Sequence, residues 1–277
     1  MRYRKKDQSL LAWWAILGVG LGLIVLSAVI WATRSPDGER IERMTRDIRR
    51  LEPVLVQLRQ GSAPTPEMMA AAQNSTLAPL LSAMADAHRQ RQQALTAYQT
   101  QIESVALGDW LTPANLISAP GRATVRQRLA QLQAALEGLI RRDAAVQSRL
   151  DDAMSGWLQE APSWGDAAWR RQLLSSSAVT TQTMTAFFKV ERDIMTRVDD
   201  LLLHLDRLGN QVTLENGAQQ ELVFASEAEL GHYRATLTSL GDLGRREQEL
   251  LLQAQQASGQ HARRVGELLL ASVANAP

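Results

Sequence analysis

Cysteine is absent from all 277 residues. That excludes structural disulfides, cysteine-ligated zinc and thiol chemistry. Lysine is scarce, with 3 against 27 arginines, and aromatic residues make up only 5% of the chain. An excess of charge is missing as well. Setting aside Arg2, Arg4, Lys5, Lys6 and Asp7 leaves 26 basic and 28 acidic side chains, a net charge of −2. No electrostatic footprint for nucleic acid follows from that balance. The catalytic signatures are missing too: there is no P-loop, dinucleotide-binding glycine pattern, nucleophile elbow or zinc-protease helix. No cofactor is expected, and the chain is not expected to be an enzyme.

What the chain does have is an uncharged run over residues 10–32, preceded by Arg2, Arg4, Lys5 and Lys6. At 1.5 Å per residue its 23 residues reach about 35 Å, enough for a hydrocarbon core of roughly 30 Å. Trp13, Trp14 and Trp31 stand near its ends, where indole rings favour the headgroup zone. A cleaved secretory signal would be shorter and would end in small residues, whereas this run ends Ile30-Trp31-Ala32. An uncleaved transmembrane helix is therefore expected, with the lipid bilayer as its surroundings. Gly18 and Gly22 form a small-xxx-small pair, candidates for helix packing and a homodimer.

Basic residues flank both ends of the run, because Arg34, Arg40, Arg43, Arg46, Arg49 and Arg50 follow it. A nine-residue tail carrying four basic groups is hard to translocate, while long domains cross largely regardless of charge. The expected topology is a cytoplasmic tail at 1–9, a membrane helix at 10–32, and everything else outside. The Arg-, Ala- and Leu-rich composition is that of a GC-rich bacterium, which would make this the inner membrane and the periplasm.

Downstream, apolar residues recur with helical spacing. Ile41, Met44, Ile48, Leu51, Leu55 and Leu58 make a stripe on an amphipathic juxtamembrane helix at 33–60, which Asp37 caps and Pro53 bends. That stripe fits a short coiled-coil stalk or one helix of a bundle. After the breaker at 61–66, a second helix carries Leu77, Leu81, Met84, Leu95 and Tyr98. Thr112-Pro113 predicts a short helical turn, and a third helix carries Val125 to Trp157. Ser163 and Asp166 look like the N-cap and N3 of a fourth, bearing Leu173, Met184, Phe187, Val198 and Leu205.

Around 211–225 the pattern turns β-like, with Asn216-Gly217 as a hairpin turn. Ser226-x-x-Glu229 then opens the last helix as a capping box, and residues 273–277 are expected to be a flexible tail.

Four groups of polar or aromatic residues invite a chemical role. Glu229-x-x-His232 has the spacing by which bundles hold di-iron, but no second copy exists, and Glu229 is also wanted as a cap. His88, Asp143 and Glu191 interrupt apolar stripes, either as members of a pocket or as stripe edges reaching water. Ser177, Thr180 and Thr181 belong to a hydroxyl belt suited to lining a ligand pocket or to bonding back to the helix backbone. Trp157, Trp164 and Trp169 flank one helix connection, as an aromatic core or as a partner-binding platform.

The segment Gly209 to Thr213, with Asn216-Gly217, Ser226, Glu229 and Tyr233, resembles an enterobacterial family of uncharacterised envelope lipoproteins. So does the patch from Leu111-Thr112-Pro113 through Gly121 and Leu129 to Asp143 and Leu150. The resemblance covers about residues 60–255 and implies a helical envelope domain with a hairpin before its last helix. It brings no activity. This chain has no lipobox cysteine and begins with a membrane run instead.

The expected architecture is mainly α: a transmembrane helix, then an elongated antiparallel helical bundle at 61–272 with one short β-hairpin. The expected function is a non-enzymatic structural or protein-interaction component of the envelope. The alternative is a small-molecule-sensing bundle that signals through a separate membrane partner.

Overall fold

The computed structural model describes residues 36–160, 164–216 and 220–274. The run at 10–32, with Gly18 and Gly22, lies outside them. Among the described residues no helix is long and apolar enough to cross a membrane.

The chain is mainly helical. The expected juxtamembrane helix is two helices, α1 (Pro36–Arg50) and α2 (Glu52–Arg59), separated at Leu51 (φ −94°, ψ 11°). Pro53, in the first turn of α2, has no N–H to continue the ladder. Asp37 is itself helical and so does not cap α1 from outside. Met44, Ile48, Leu51, Leu55 and Leu58 are all buried against the rest of the molecule, so this stripe belongs to a bundle and is not a free-standing stalk. A short helix that the apolar spacing does not reveal, α3 (Pro66–Ala72), starts where Thr65 Oγ1 accepts from the Met68 amide.

Four long segments follow. They are α4 (Ala78–Val105), α7 (Ala119–Glu160), the pair α8 (Ala167–Leu174) and α9 (Ala178–Leu208), and α10 (Glu227–Ala274). Between α4 and α7 lie α5 (Leu107–Trp110) and α6 (Pro113–Ile117), the latter capped by Thr112 with Pro113 in its first turn as expected. The fourth helix departs from expectation twice. Its cap is Asp166, whose carboxylate accepts from the Trp169 amide at 2.7 Å; Ser163 lies outside the described residues. It is also broken, since Ser175–Ser177 form a 3-10 turn between α8 and α9. Serine hydroxyls bonding to carbonyls three residues back, Ser176 to Leu173 and Ser175 to Gln172, accompany the tighter turn.

The hairpin is present. Strands β1 (Val212–Asn216) and β2 (Gln220–Phe224) pair antiparallel in the register Val212↔Phe224 to Asn216↔Gln220. Ser226 Oγ accepts from the Glu229 amide. The Glu229 carboxylate does not complete the capping box, however, because it turns to His204. At the far end α10 stays helical through Ala274, where a flexible tail from 273 had been expected.

All neighbouring long helices run antiparallel. Thr76 meets Trp157 and Val105 meets Arg128 across α4 and α7. Across α7 and α9, Asp151 meets Ser177 and Arg126 meets Asp206. Trp169, Thr180 and His204 meet Leu268, Ala257 and Glu229, so α8 and α9 follow α10 as one line despite the break. Helix α2 lies against the last third of α10. There a Cβ at Gly266 would stand 2.8 Å from the Arg59 amide and the Leu55 carbonyl, and one at Gly259 would stand 2.7 Å from the Gly61 carbonyl. Only glycine lets these backbones approach so closely.

The bundle has two apolar cores. One collects α1, α2, the start of α4, the end of α7, Leu173 and the end of α10; the other collects the rest of α4, α7, α9 and α10 under the hairpin. On α4 the first core ends at Ala87 and the second begins at Ala94; on α7 the boundary falls between Leu139 and Val146; on α10 it falls between Ala254 and Ala262.

Candidate functional site

Polar residues fill that boundary on all four helices. Arg91 from α4, Asp143 from α7, Ser176, Ser177 and Thr180 from the broken third line, and His261 from α10 are all buried. The Arg91 Nε donates to Asp143 Oδ1 at 2.8 Å and its Nη2 to Gln147 Oε1 at 2.6 Å. Gln147 Nε2 donates onward to Asp151 Oδ1 and Ser177 Oγ, each at 2.8 Å. Thr180 Oγ1 donates to the Ala257 carbonyl at 3.1 Å, which ties α9 to α10. His261 is only 6% exposed. Burial holds its pKa below the usual value, opposed by the Ser176 backbone, so the ring is neutral at pH 7.

This layer opens on one side. Between α7 and α9 lies a cleft of about 640 Å³. Gln147, Asp151, Asp152 and Thr181 stand at one end of it, and Ile140, Phe188 and Arg192 at the other. Two sets of contacts pin the helices on either side: Gln147 and Asp151 with Ser177, and Arg122 and Arg126 with Asp206. The groove continues past Arg192 as a second, smaller recess of about 430 Å³ against Leu129, Leu136 and Met195.

The expected ligand-lining trio thus divides. Thr181 lines the cleft, Ser177 is buried in the layer behind it, and Thr180 faces α10. Asp143 joins both layer and cleft. The important residues that the apolar spacing passes over are Arg91, Gln147, Asp151 and His261. Their trace in the sequence is a gap in each stripe, between Met84 and Leu95, Leu139 and Val146, Leu173 and Met184, and Leu251 and Val265. Only the antiparallel register brings the four gaps to one level.

Glu191 lies elsewhere, inside the second core, 4% exposed. Tyr98 OH donates to its Oε2 at 2.8 Å. Burial and the nearby Glu247 charge push its pKa up to about 8, against the hydrogen bond from Tyr98. At pH 7 the Glu191 side chain is therefore mostly a neutral acid. His88 is half-buried on α4, its pKa lowered by burial and by Arg91.

Glu229 and His232 acquire a neighbour that spacing does not show. His204 Nε2 is 2.9 Å from Glu229 Oε2, and the His204 and His232 rings are 4.4 Å apart. Even so, among the described residues no group of three or more His, Cys, Asp or Glu side chains is arranged to hold a metal ion.

Of the two readings of the tryptophans, the aromatic core is the one their burial fits. Trp157 and Trp164 are 3% and 4% exposed, and Trp169 is partly buried. Trp157 Nε1 donates to the Thr76 carbonyl at 2.9 Å and Trp169 Nε1 to the Leu268 carbonyl at 2.8 Å. With ring centroids 6.5 Å apart, Trp157 and Trp169 seal the end of the first core. Indole rings at a helix connection gain more by covering apolar surface and reaching carbonyls than by facing solvent.

No family model, curated protein or solved structure matches the chain.

Proposed function

We propose that this protein is a single-pass, N-in inner-membrane protein whose periplasmic bundle binds a small molecule in the α7–α9 cleft and does no catalysis. The observation that carries the binding reading is the cleft's position. It backs onto the polar layer shared by all four helices, so an occupant that engages Gln147 or Asp151 also touches the contacts holding the bundle together. Burial of Trp157 and Trp164, with Trp169 partly buried, supports an aromatic core over a protein-docking role at that end.

A ligand shifts an equilibrium only by its differential affinity for two states. Here the two states would differ in how α7 and α9 are spaced. The route toward the membrane would run through α10, on which α2 is seated, to a separate membrane partner. The resemblance to envelope lipoproteins supports the compartment, and the uncharged run at 10–32 supports the anchor.

The test is thermal unfolding of the full chain in detergent against a chemically varied panel of small metabolites. A true ligand at about 100 times its Kd adds about 2.7 kcal/mol, raising Tm by roughly 5–10 °C in a domain of this size. Ala144→Trp, at an exposed position on the cleft wall, should abolish the shift. If nothing in the panel shifts Tm, or if Ala144→Trp leaves the shifts intact, the cleft is not a binding site. For topology, a cysteine at Asn216 labelled by an impermeant maleimide before inner-membrane lysis supports the periplasmic placement. Labelling only after lysis, with an exposed control alike, counts against it.

A further inference from the structure

We propose that the ligand of the α7–α9 cleft is a primary ammonium ion carried on an apolar chain; this rests on the binding reading above. The argument starts from what the cleft walls have left to offer. Gln147 has no donor left, its amide being given to Asp151 and Ser177, and its carbonyl already accepts from Arg91. Thr181 and Thr185 spend their hydroxyl hydrogens on the Ser177 and Thr181 carbonyls, at 3.4 and 2.8 Å. Their lone pairs remain. One oxygen of Asp143 is occupied by the buried Arg91, which also neutralises that carboxylate.

Asp152 has no partner among the described residues, and Asp151 uses one oxygen on Gln147 and Ser177. Ser148, also on the cleft wall, makes no side-chain hydrogen bond among the described residues; apart from that hydroxyl, the Thr181 end of the cleft is a surface of acceptors and negative charge with its neutral donors already engaged. A ligand head that fits it must bring hydrogens and positive charge, and an ammonium brings three donors on a compact cation.

The other end sets the rest of the molecule. Ile140, Ala144 and Phe188 line the cleft there, an apolar wall suited to an alkyl or aryl chain. Arg192 lies 11 residues along α9 from Thr181, about 16 Å away, too far to neutralise the acidic end and placed to repel a second cation. That geometry disfavours a linear diamine and favours a single charged head.

Three probes of equal chain length isolate the head group: hexylammonium, hexanol and hexanoate, titrated into the full-length protein in detergent. The expected order is hexylammonium binding at least tenfold tighter than hexanol, with hexanoate weakest. Asp152→Asn, at an exposed position, should cost hexylammonium about tenfold while leaving hexanol unchanged. Pentane-1,5-diammonium should bind more weakly than hexylammonium, and Arg192→Gln should narrow that gap.

Equal affinity for all three heads, or a preference for hexanoate, would overturn the ammonium assignment. So would insensitivity to Asp152→Asn, the sign of diffuse attraction of cations to an acidic surface. If the three probes fail while other panel compounds bind and lose binding in Ala144→Trp, the ligand class is wrong and the binding reading stands. If the panel also fails, both fall.

Discussion

The two cores of this bundle are built from the same four lines of helix and closed in different ways. The core on the α1–α2 side is gathered from many short pieces; two of its three indoles are tied to backbone, and the third, Trp164, is buried with its Nε1 unpartnered. Trp157 and Trp169 donate to carbonyls, and glycines at 259 and 266 let α2 touch α10. The core under the hairpin is made mainly from long helices, with Leu116 of α6 and Val212 and Leu222 of the hairpin, and it surrounds an ionisable group, Glu191, whose Oε2 accepts from a side chain of another helix while its Oε1 has no partner. Backbone contacts fix position whatever the pH. A buried acid makes the local packing answer to its protonation state. One half is thus built for fixed geometry and the other for a conditional one, with the polar layer as the seam.

The seam should respond most strongly. Arg91→Met leaves Asp143 buried without its cation and should cost about 3–5 kcal/mol in urea denaturation. Arg91→Met combined with Asp143→Leu replaces the pair by apolar volume and should recover most of that loss, merging the two cores into one. A double variant as unstable as the single would mean that Gln147 and Ser177 depend on the pair for their own positions.

A smaller effect should separate the halves. Gly266→Ala drives a methyl against the α2 backbone, and overpacking of this kind costs about 1–3 kcal/mol. Hydrogen exchange should then show α1 and α2 opening while amides of α4 and α9 near Tyr98 and Glu191 stay protected. Uniform loss of protection would show that the cores open together.

The smallest effect is one of pH. Glu191 has a folded pKa of about 8 against an ordinary 4.5, so between those values the unfolded chain gives up a proton that the folded chain keeps. Stability from this group is complete below pH 4.5 and is lost as pH rises toward 8, with a slope of at most about 1.4 kcal/mol per unit. His261, whose pKa is lowered by burial, acts the other way, its contribution fading as pH falls below 6.5. Glu191→Gln should flatten the alkaline limb of a stability–pH curve and leave the acid limb in place. An unchanged alkaline limb would assign it to another group.

Much of the architecture could be read from spacing. The stripes from Met44 to Leu58 and from Val125 to Trp157 are buried as a 3–4 repeat requires, and two antiparallel strands stand where a hairpin was expected, with Asn216 ending the first. Thr112-Pro113 marks a helix start because an oxygen acceptor followed by a residue without an N–H suits that position. Errors came where a local signal had a competitor. Glu229 was assigned to its cap and is taken by His204, a residue 25 positions earlier. The Ser175 to Ser177 hydroxyls turn inward and break a helix that apolar periodicity alone would carry through. The tryptophans were equally compatible with a surface and a core, since an indole serves either until its N–H finds a partner.

Taken by itself, the sequence determined the helical class, the antiparallel order, the hairpin, and the exclusion of thiol chemistry and of disulfides, because these depend on periodicity, short connections and composition. Tertiary structure decided that four gaps in four stripes form one layer, that Arg91 faces Asp143, and that a cleft opens beside them. It also decided that Tyr98 reaches Glu191. Those pairs are separated by 52 and 93 residues, and helical spacing specifies a face without specifying the level at which two faces meet.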